Sequence, residues 1–382
     1  MVLKMVSYKE ALAAGNTYFS NAKRLERTEP EKAAMIYLKA NRELVKASTL
    51  ARTFDEANFA MNKAEEAKTR AKKLTKKETM HNGESNNSAL EMLLEEYIPN
   101  TTFSDVAGMD DLKHTLEVSV IQPIIYRDLY PLYAKGSIDG FLLFGPPGCG
   151  KTYFAKALAG ELKKQLEKNG EELHIYKISA AEILNSLVGE SEKMVKKLFD
   201  EAKKHKPSLI IIDEADSLLK TRNDKTDYAS RIVNQFLSCY DDVRGEEIYI
   251  ILTSNFPWEL DPAVVRRGRI GNHIYVSLPD KSAREKLFEH FLHELNVSKI
   301  NYKQLAEISE GYTPAEIESI CRAAGLYKFH KSIKSGKKEP ITQKDIEREI
   351  AEKKPMSEMW FEIAEKKMPK HYNNWYNIFT GE

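Results

Sequence analysis

Along residues 8–74 apolar side chains return at alternating steps of four and three. Tyr8, Leu12, Gly15, Phe19 and Ala22 form one stripe, and Ala33, Tyr37, Ala40, Leu44 and Ala47 a second. A third runs through Ala57, Ala60, Ala64, Ala67, Ala71 and Leu74. Each spacing paints one face of an amphipathic helix. Thr28 and Glu31 have capping-box spacing ahead of the second stripe, and Pro30 is tolerated in a first helical turn. Three such helices with short connections predict an antiparallel three-helix bundle over residues 1–75. Residues 76–98 then read as a linker. Its stretch "TKKETMHNGESNNS" is polar and without period, and "ALEMLLEEYI" predicts a short helix leading into the next domain.

From Thr101 to Pro279 the pattern changes to short β-rich runs separated by helical ones. "FLLF" at 141, "HIYKI" at 174, "LIIID" at 209, "IYIILT" at 248 and "HIYVS" at 273 predict strands. Several are apolar throughout, as strands buried on both faces must be. Strand–helix alternation predicts an α/β domain over 99–279, a mostly parallel sheet covered by helices. Beyond Pro279 the β signal fades. "SAREKLFEHFLHEL", "YKQLAEISE", "PAEIESICRAAGLYKFHKS" and "TQKDIEREIAEK" predict a smaller helical domain over 280–382. The rings of the tail, "SEMWFEIAEKKMPKHYNNWYNIF", read as docking on the domain rather than as a ligand site.

Composition narrows the class. A chain of 382 residues exceeds one ordinary core. The formal net charge is +1, so the whole chain offers no electrostatic case for nucleic acid. Cys149, Cys239 and Cys321 lie too far apart for a disulfide framework or zinc pattern, which suits a reducing, cytoplasmic setting. No stretch reaches the apolar length of a membrane span, so a soluble intracellular protein is expected.

The strongest chemical signal is "FLLFGPPGCGKT". A buried strand enters a glycine-rich turn that begins at Gly145 and runs through Pro147, Gly148, Cys149 and Gly150. Lys151, Thr152 and Tyr153 then open a helix. Glycines let backbone N–H groups turn inward and cradle phosphate oxygens, and the helix N-terminus adds its positive dipole end. Lys151 supplies charge for the β- and γ-phosphates of ATP, and Thr152 offers a hydroxyl to Mg²⁺. Cys149 reads as loop filler rather than a redox group. "LIIIDEAD" carries the chain through the sheet to Asp213, placed to hold Mg²⁺ through its water shell. Glu214 is placed to orient the attacking water or accept its proton.

With these motifs in hand, the chain from about Phe103 onward resembles an AAA-type ATPase, of the group containing the ESCRT-III-disassembling ATPases, katanin and spastin. The resemblance implies a P-loop NTPase fold with a helical lid, a homo-oligomeric ring, most plausibly a hexamer, and a protein substrate. "FSDVAGMDDLK" resembles the family's opening segment, whose backbone at Asp105, Val106 and Gly108 would meet adenine. "TSN" matches sensor 1, with Asn255 near the γ-phosphate and the attacking water. "DPAVVRRGRIGNHI" resembles the arginine-finger segment. It implies that Arg266 and Arg269 reach a neighbouring subunit's γ-phosphate, with Arg267 the alternative to Arg266. Guanidinium suits that task because it stays charged and bonds phosphate oxygens in a plane. "GYTPAEI" resembles the lid motif, whose backbone near Ala315 would approach adenine. Thr313, Pro314 and Glu316 depart from the usual pattern.

In "NSLVGESEK" the resemblance implies that Leu187 and Val188 face a central pore and grip a polypeptide. Threading relatives usually carry an aromatic where Leu187 stands and a Lys where Ser186 stands, so this grip is expected to be weaker. The bland alternative packs both residues against a neighbouring loop. Arg231, next to a second pore-loop region, reads as a solvated helix residue. The N-terminal bundle resembles a MIT domain, which implies recruitment of ESCRT-III-like filament subunits. Rival readings are a microtubule-severing enzyme of katanin type, a general unfoldase, and an adaptor that holds ATP without hydrolysing it.

Overall fold

The computed structural model describes residues 8–26, 28, 30–50, 59–67, 70, 96–134, 139–184, 190–221, 227–266 and 268–367. The chain divides into two units, 1–93 and 94–382.

In the first unit, α1 (Tyr8–Leu25) and α2 (Pro30–Leu50) pair, and residues 59–67 are helical. Their stripes face inward as the periodicity predicts. Phe19, Ala22, Tyr37, Ala40, Leu44, Ala64 and Ala67 form one buried cluster. Phe19 meets Tyr37 edge-on at 5.1 Å. Gly15 is needed at its position, because a Cβ there would come within 2.6 Å of Leu44. Alanine-rich faces let helix axes approach closely, so little side-chain area is buried per turn. Polar ties supplement it. The Tyr37 hydroxyl and the Arg70 guanidinium both donate to Glu26, and Asn41 Nδ2 donates to the Ala64 carbonyl at 2.8 Å. Ala57, Ala71 and Leu74 of the third stripe lie outside the described residues.

The second unit is built on a five-stranded sheet of order β2-β3-β4-β1-β5, with every pairing parallel. The strands are β1 (Gly140–Phe144), β2 (His174–Ser179), β3 (Ser208–Asp213), β4 (Ile248–Ser254) and β5 (Asn272–Tyr275). The inner strands β1 and β4 are buried along their whole length, and β3 is buried up to Asp213. Edge strands β2 and β5 are only partly buried. Burial on both faces is why the inner strands read as unbroken apolar runs.

One expectation fails at the edge of the sheet. Glu96 and Tyr97 do not continue a helix over "ALEMLLEEYI". Glu96 bridges Tyr176 antiparallel, and the Tyr97 N–H donates to the Ile175 carbonyl at 2.6 Å. The open edge of β2 offers unpaired backbone groups, and the incoming chain satisfies them. The remaining residues of that segment, 89–95, lie outside the described ones.

Helices flank the sheet: α3 (Asp110–Leu116), α4 (Lys151–Lys168), α5 (Glu190–Lys204) and α6 (Asp227–Val243). A helical cluster with its own core follows. It contains α7 (Lys281–Leu292), α8 (Tyr302–Ile308), α9 (Pro314–Ser335) and α10 (Gln343–Ala351). A further helix, α11 (Ser357–Lys367), returns toward the sheet. Among the described residues, no helix is long and apolar enough to cross a membrane.

Candidate active site

The carboxyl ends of β1, β3 and β4 lie side by side, the usual place for a ligand in an open parallel sheet. From β1 the chain enters the glycine-rich turn, and α4 begins at Lys151. Two glycines in the turn have steric work to do. Gly145 approaches the Val276 carbonyl so closely that a Cβ would sit 2.3 Å from its oxygen. Gly148 has φ +83°, and a Cβ there would lie 2.9 Å from Thr313 Oγ1 and 3.2 Å from Ala315 Cβ. The start of α9 is thus seated directly on the loop. The Ala315 N–H donates to the Gly148 carbonyl at 3.2 Å, so that amide is already engaged rather than open to a base.

Lys151 is 6% exposed, and its Nζ donates to the carbonyls of Gly145 and Pro146 at 2.9 and 2.7 Å. Burial pulls its ammonium down to about 8, against the opposing field of nearby carboxylates. A desolvated cation behind a loop of backbone amides is a receptor for phosphate oxygens. Cys149 is fully buried, and burial pushes its thiol up to about 12. A protonated, enclosed thiol has no redox reach at neutral pH, in keeping with the filler reading.

At the end of β3, Asp213 Oδ1 accepts two hydroxyls, from Thr152 at 2.7 Å and from Thr253 at 2.5 Å. Thr253 in turn accepts the Glu214 N–H at 3.0 Å. Glu214 adopts a left-handed conformation, φ 55° and ψ 43°, which is unusual for a side chain of its size. The Thr253 contact holds that turn and leaves the Glu214 side chain exposed at the strand end. This cluster fits a hard divalent cation. Thr152 and Asp213 supply oxygens of the right kind, converging on one point. Among the described residues no group of three or more acidic, His or Cys side chains could hold a metal by itself. A cation here would complete its shell with phosphate and water.

Asn255 follows β4 and is held through its backbone from two sides. Its N–H donates to the buried Asp216 carboxylate at 3.2 Å, and its carbonyl accepts Trp360 Nε1 from α11 at 2.7 Å. Sequence reading assigned no part to Thr253, Asp216 or Trp360. The "TSN" and "DEAD" strings hold the first two, but only the adjacency of β3 and β4 brings them together.

The opening segment lies across the starts of α4 and α7. Tyr153 donates its hydroxyl to the Asp105 carbonyl at 3.0 Å, and Lys113 Nζ donates to the Val106 carbonyl at 2.7 Å. The Asp105 carboxylate turns back onto the Thr102 N–H at 2.7 Å. Gly108, at φ +67°, passes so near Ala283 of α7 that a Cβ would stand 2.7 Å from its Cα.

The two candidate arginines differ sharply. Arg266 is exposed, and among the described residues its guanidinium makes no hydrogen bond or ion pair. Arg269 has a side chain only 12% exposed and clasps Asp241 with two bonds, Nε at 3.0 Å and Nη2 at 2.5 Å. Its Nη1 also donates to the Ala263 carbonyl at 3.0 Å. Arg267, Leu187 and Val188 lie outside the described residues. Arg231 pairs with Glu192 at 3.4 Å while its side chain stays 49% exposed.

Comparison with known proteins bears on this arrangement. Residues 141–278 match the ATPase family associated with various cellular activities (AAA), and residues 299–348 match the AAA+ lid domain. The chain is similar to cell division protein C of Sulfolobus acidocaldarius, 34% identical over 254 residues, 64% of each chain. It is 38% identical to vacuolar protein sorting-associated protein 4A of Homo sapiens over 229 residues, 59% of this chain and 50% of that protein. It is 35% identical to a cell division cycle protein 48 homolog of Archaeoglobus fulgidus over 285 residues, 74% of this chain and 37% of that protein. The matched regions thus span between 37% and 64% of these relatives.

Proposed function

The chain carries the ATPase domain and the lid of the AAA family, and on that premise we propose that it is a Mg²⁺-dependent ATPase that remodels protein assemblies. The observation that carries the reading is the convergence of Thr152 and Thr253 on Asp213 beside the buried Lys151. Lys151 binds the β- and γ-phosphates and regains its full charge there. Thr152 and Asp213 hold Mg²⁺, which neutralises charge on the phosphates. Pro147 shapes the turn, the amides from Gly148 to Gly150 hold the phosphate oxygens, and the segment from Asp105 to Gly108, with Tyr153 and Ala315, borders the rest of the nucleotide. Glu214 orients a water against the γ-phosphorus and takes its proton as the bond to the bridging oxygen breaks. Asn255 touches that water or the γ-phosphate.

Arg266 supplies a charge to the site of a second copy in a hexameric ring. The exposed, uncommitted guanidinium of Arg266 supports this assignment. The clasp on Asp241 supports a different part for Arg269, which shapes the segment that presents Arg266.

Hydrolysis drives Leu187 and Val188 against a bound polypeptide. The first unit selects that polypeptide, a filament subunit of ESCRT-III type. Met35 and Leu38 stay exposed on α2 although the opposite stripe is buried, a surface suited to an amphipathic partner helix. Work takes place in the cytoplasm, with peripheral recruitment to membranes by partners.

The test is Glu214→Gln in the full chain. ATP binding should stay within about two-fold of the parent while turnover falls about 10²-fold or more, as expected for loss of a general base. The same variant, used as a trap in affinity capture with and without residues 1–87, identifies the polypeptide. Unchanged turnover removes Glu214 from its role.

A further inference from the structure

Helix α11 is tied at both ends to the two sides of the candidate site. At its start, Met356 donates its N–H to Glu316 at 2.8 Å, and Ser357 donates to the Gly311 carbonyl at 2.6 Å. Glu316 is the capping residue of α9, and its other oxygen accepts from the N–H and the hydroxyl of Thr313, the residue seated on Gly148. One turn into α11, Trp360 is 3% exposed and donates its indole N–H to the Asn255 carbonyl. At the far end Lys367 pairs with Glu259 at 3.9 Å. A single helix therefore links the lid edge that touches the phosphate loop to the residue that follows β4.

We propose that Trp360 is a positioning residue for ATP turnover. It holds the Asn255 backbone from the lid side while Asp216 holds it from the β3 side. The inference rests on the ATPase reading of the site. Asn255 is the first residue after β4, where no further ladder bond restrains it. Its N–H and carbonyl are instead fixed by groups from two different elements. Losing one of the two lets the peptide rotate, and a side chain misplaced by a fraction of an ångström loses its alignment with the reacting atoms.

The structure supplies its own control. Trp258 packs against Trp360 with the rings tilted by 44° and centroids 5.5 Å apart, yet among the described residues its buried Nε1 has no partner. Trp360→Phe and Trp258→Phe therefore make the same indole-to-phenyl change in one aromatic pair, and only the first removes a bonded donor. In the full chain, Trp360→Phe should lower kcat about five-fold with KM for ATP changed less than about two-fold, the size expected for one positioning hydrogen bond. Trp258→Phe should stay near the parent. In ¹⁵N-tryptophan spectra of the unmutated chain, the Trp360 indole N–H should shift when the Mg²⁺ complex of a non-hydrolysable ATP analogue binds. Equal kcat for the two variants overturns the proposal. If Trp360→Phe melts earlier than Trp258→Phe, the indole resonance decides, and no shift overturns it. Glu214→Gln run in parallel separates the two readings. Loss of turnover there with no Trp360 effect sinks only this proposal, whereas turnover surviving in Glu214→Gln sinks the reading beneath it.

Discussion

The phosphate-loop side and the arginine side of the candidate site are finished to different degrees within one copy of the chain. On the first, the buried lysine and the hydroxyls around Asp213 have internal partners. Lys151 rests on two carbonyls, and Thr152, Thr253 and Glu214 converge on or beside Asp213. On the second, Arg269 is fully engaged by Asp241 and Ala263, while Arg266, three residues earlier, is exposed. Desolvating a cation is costly unless something compensates, so a chain buries only the charges it can pair. The contrast teaches that two arginines of one segment, three residues apart, meet different surroundings. One is held by local structure, and the guanidinium of the other is exposed.

The contrast breaks most visibly at Arg266. Arg266→Ala should lower turnover roughly 10³-fold at concentrations that assemble the parent, as for loss of an arginine supplied in trans. Its melting temperature and its ATP affinity should match the parent. Retained turnover, measured by phosphate release, would return Arg266 to the surface. Arg269→Ala should behave in the opposite sense. It leaves Asp241 and the Ala263 carbonyl without their donor and should cost about 2 kcal/mol in denaturant unfolding. Turnover per folded molecule should fall less than in Arg266→Ala. If the two variants lost the same stability, the division of work would be wrong.

The smallest effect sharpens the phosphate-loop side. Burial holds Lys151 near 8 in the free protein, below its ordinary value of 10.5. A lysine depressed in the folded state binds fewer protons there than in the unfolded chain. Its contribution to stability therefore rises with pH between about 8 and 10.5. A bound triphosphate favours the charged form, so binding near and above pH 8 takes up a proton. ATP affinity should be flat below pH 7 and fall by up to about ten-fold per pH unit above 8, the limit for one coupled proton. Calorimetry in buffers of different ionisation enthalpy checks the uptake, and affinity that rises with pH would exclude Lys151 as the coupled group.

Much of this was legible in the chain. The bundle stripes, the five strands and the lid helices follow from period and apolar run length. The glycine-rich turn and the aspartate closing "LIIID" stand where local chemistry requires them. Asp105, Val106 and Ala315 were less legible. Their backbone groups are taken up by Tyr153, Lys113 and Gly148, contacts set by how the opening segment and α9 pack. Glu96 and Tyr97 carried helical periodicity, but an open strand edge outweighed that weak local preference.

What the chain determined alone is what neighbours in sequence decide: where glycines permit a phosphate loop, which runs are buried on both faces, and which helices carry an inward stripe. What only the tertiary structure decided are the partnerships across long separations. Asp241 takes Arg269 across 28 residues, and Trp360 reaches Asn255 across 105 residues. Spacing holds no trace of them, because a hydrogen bond is specified by where two elements come to rest in space.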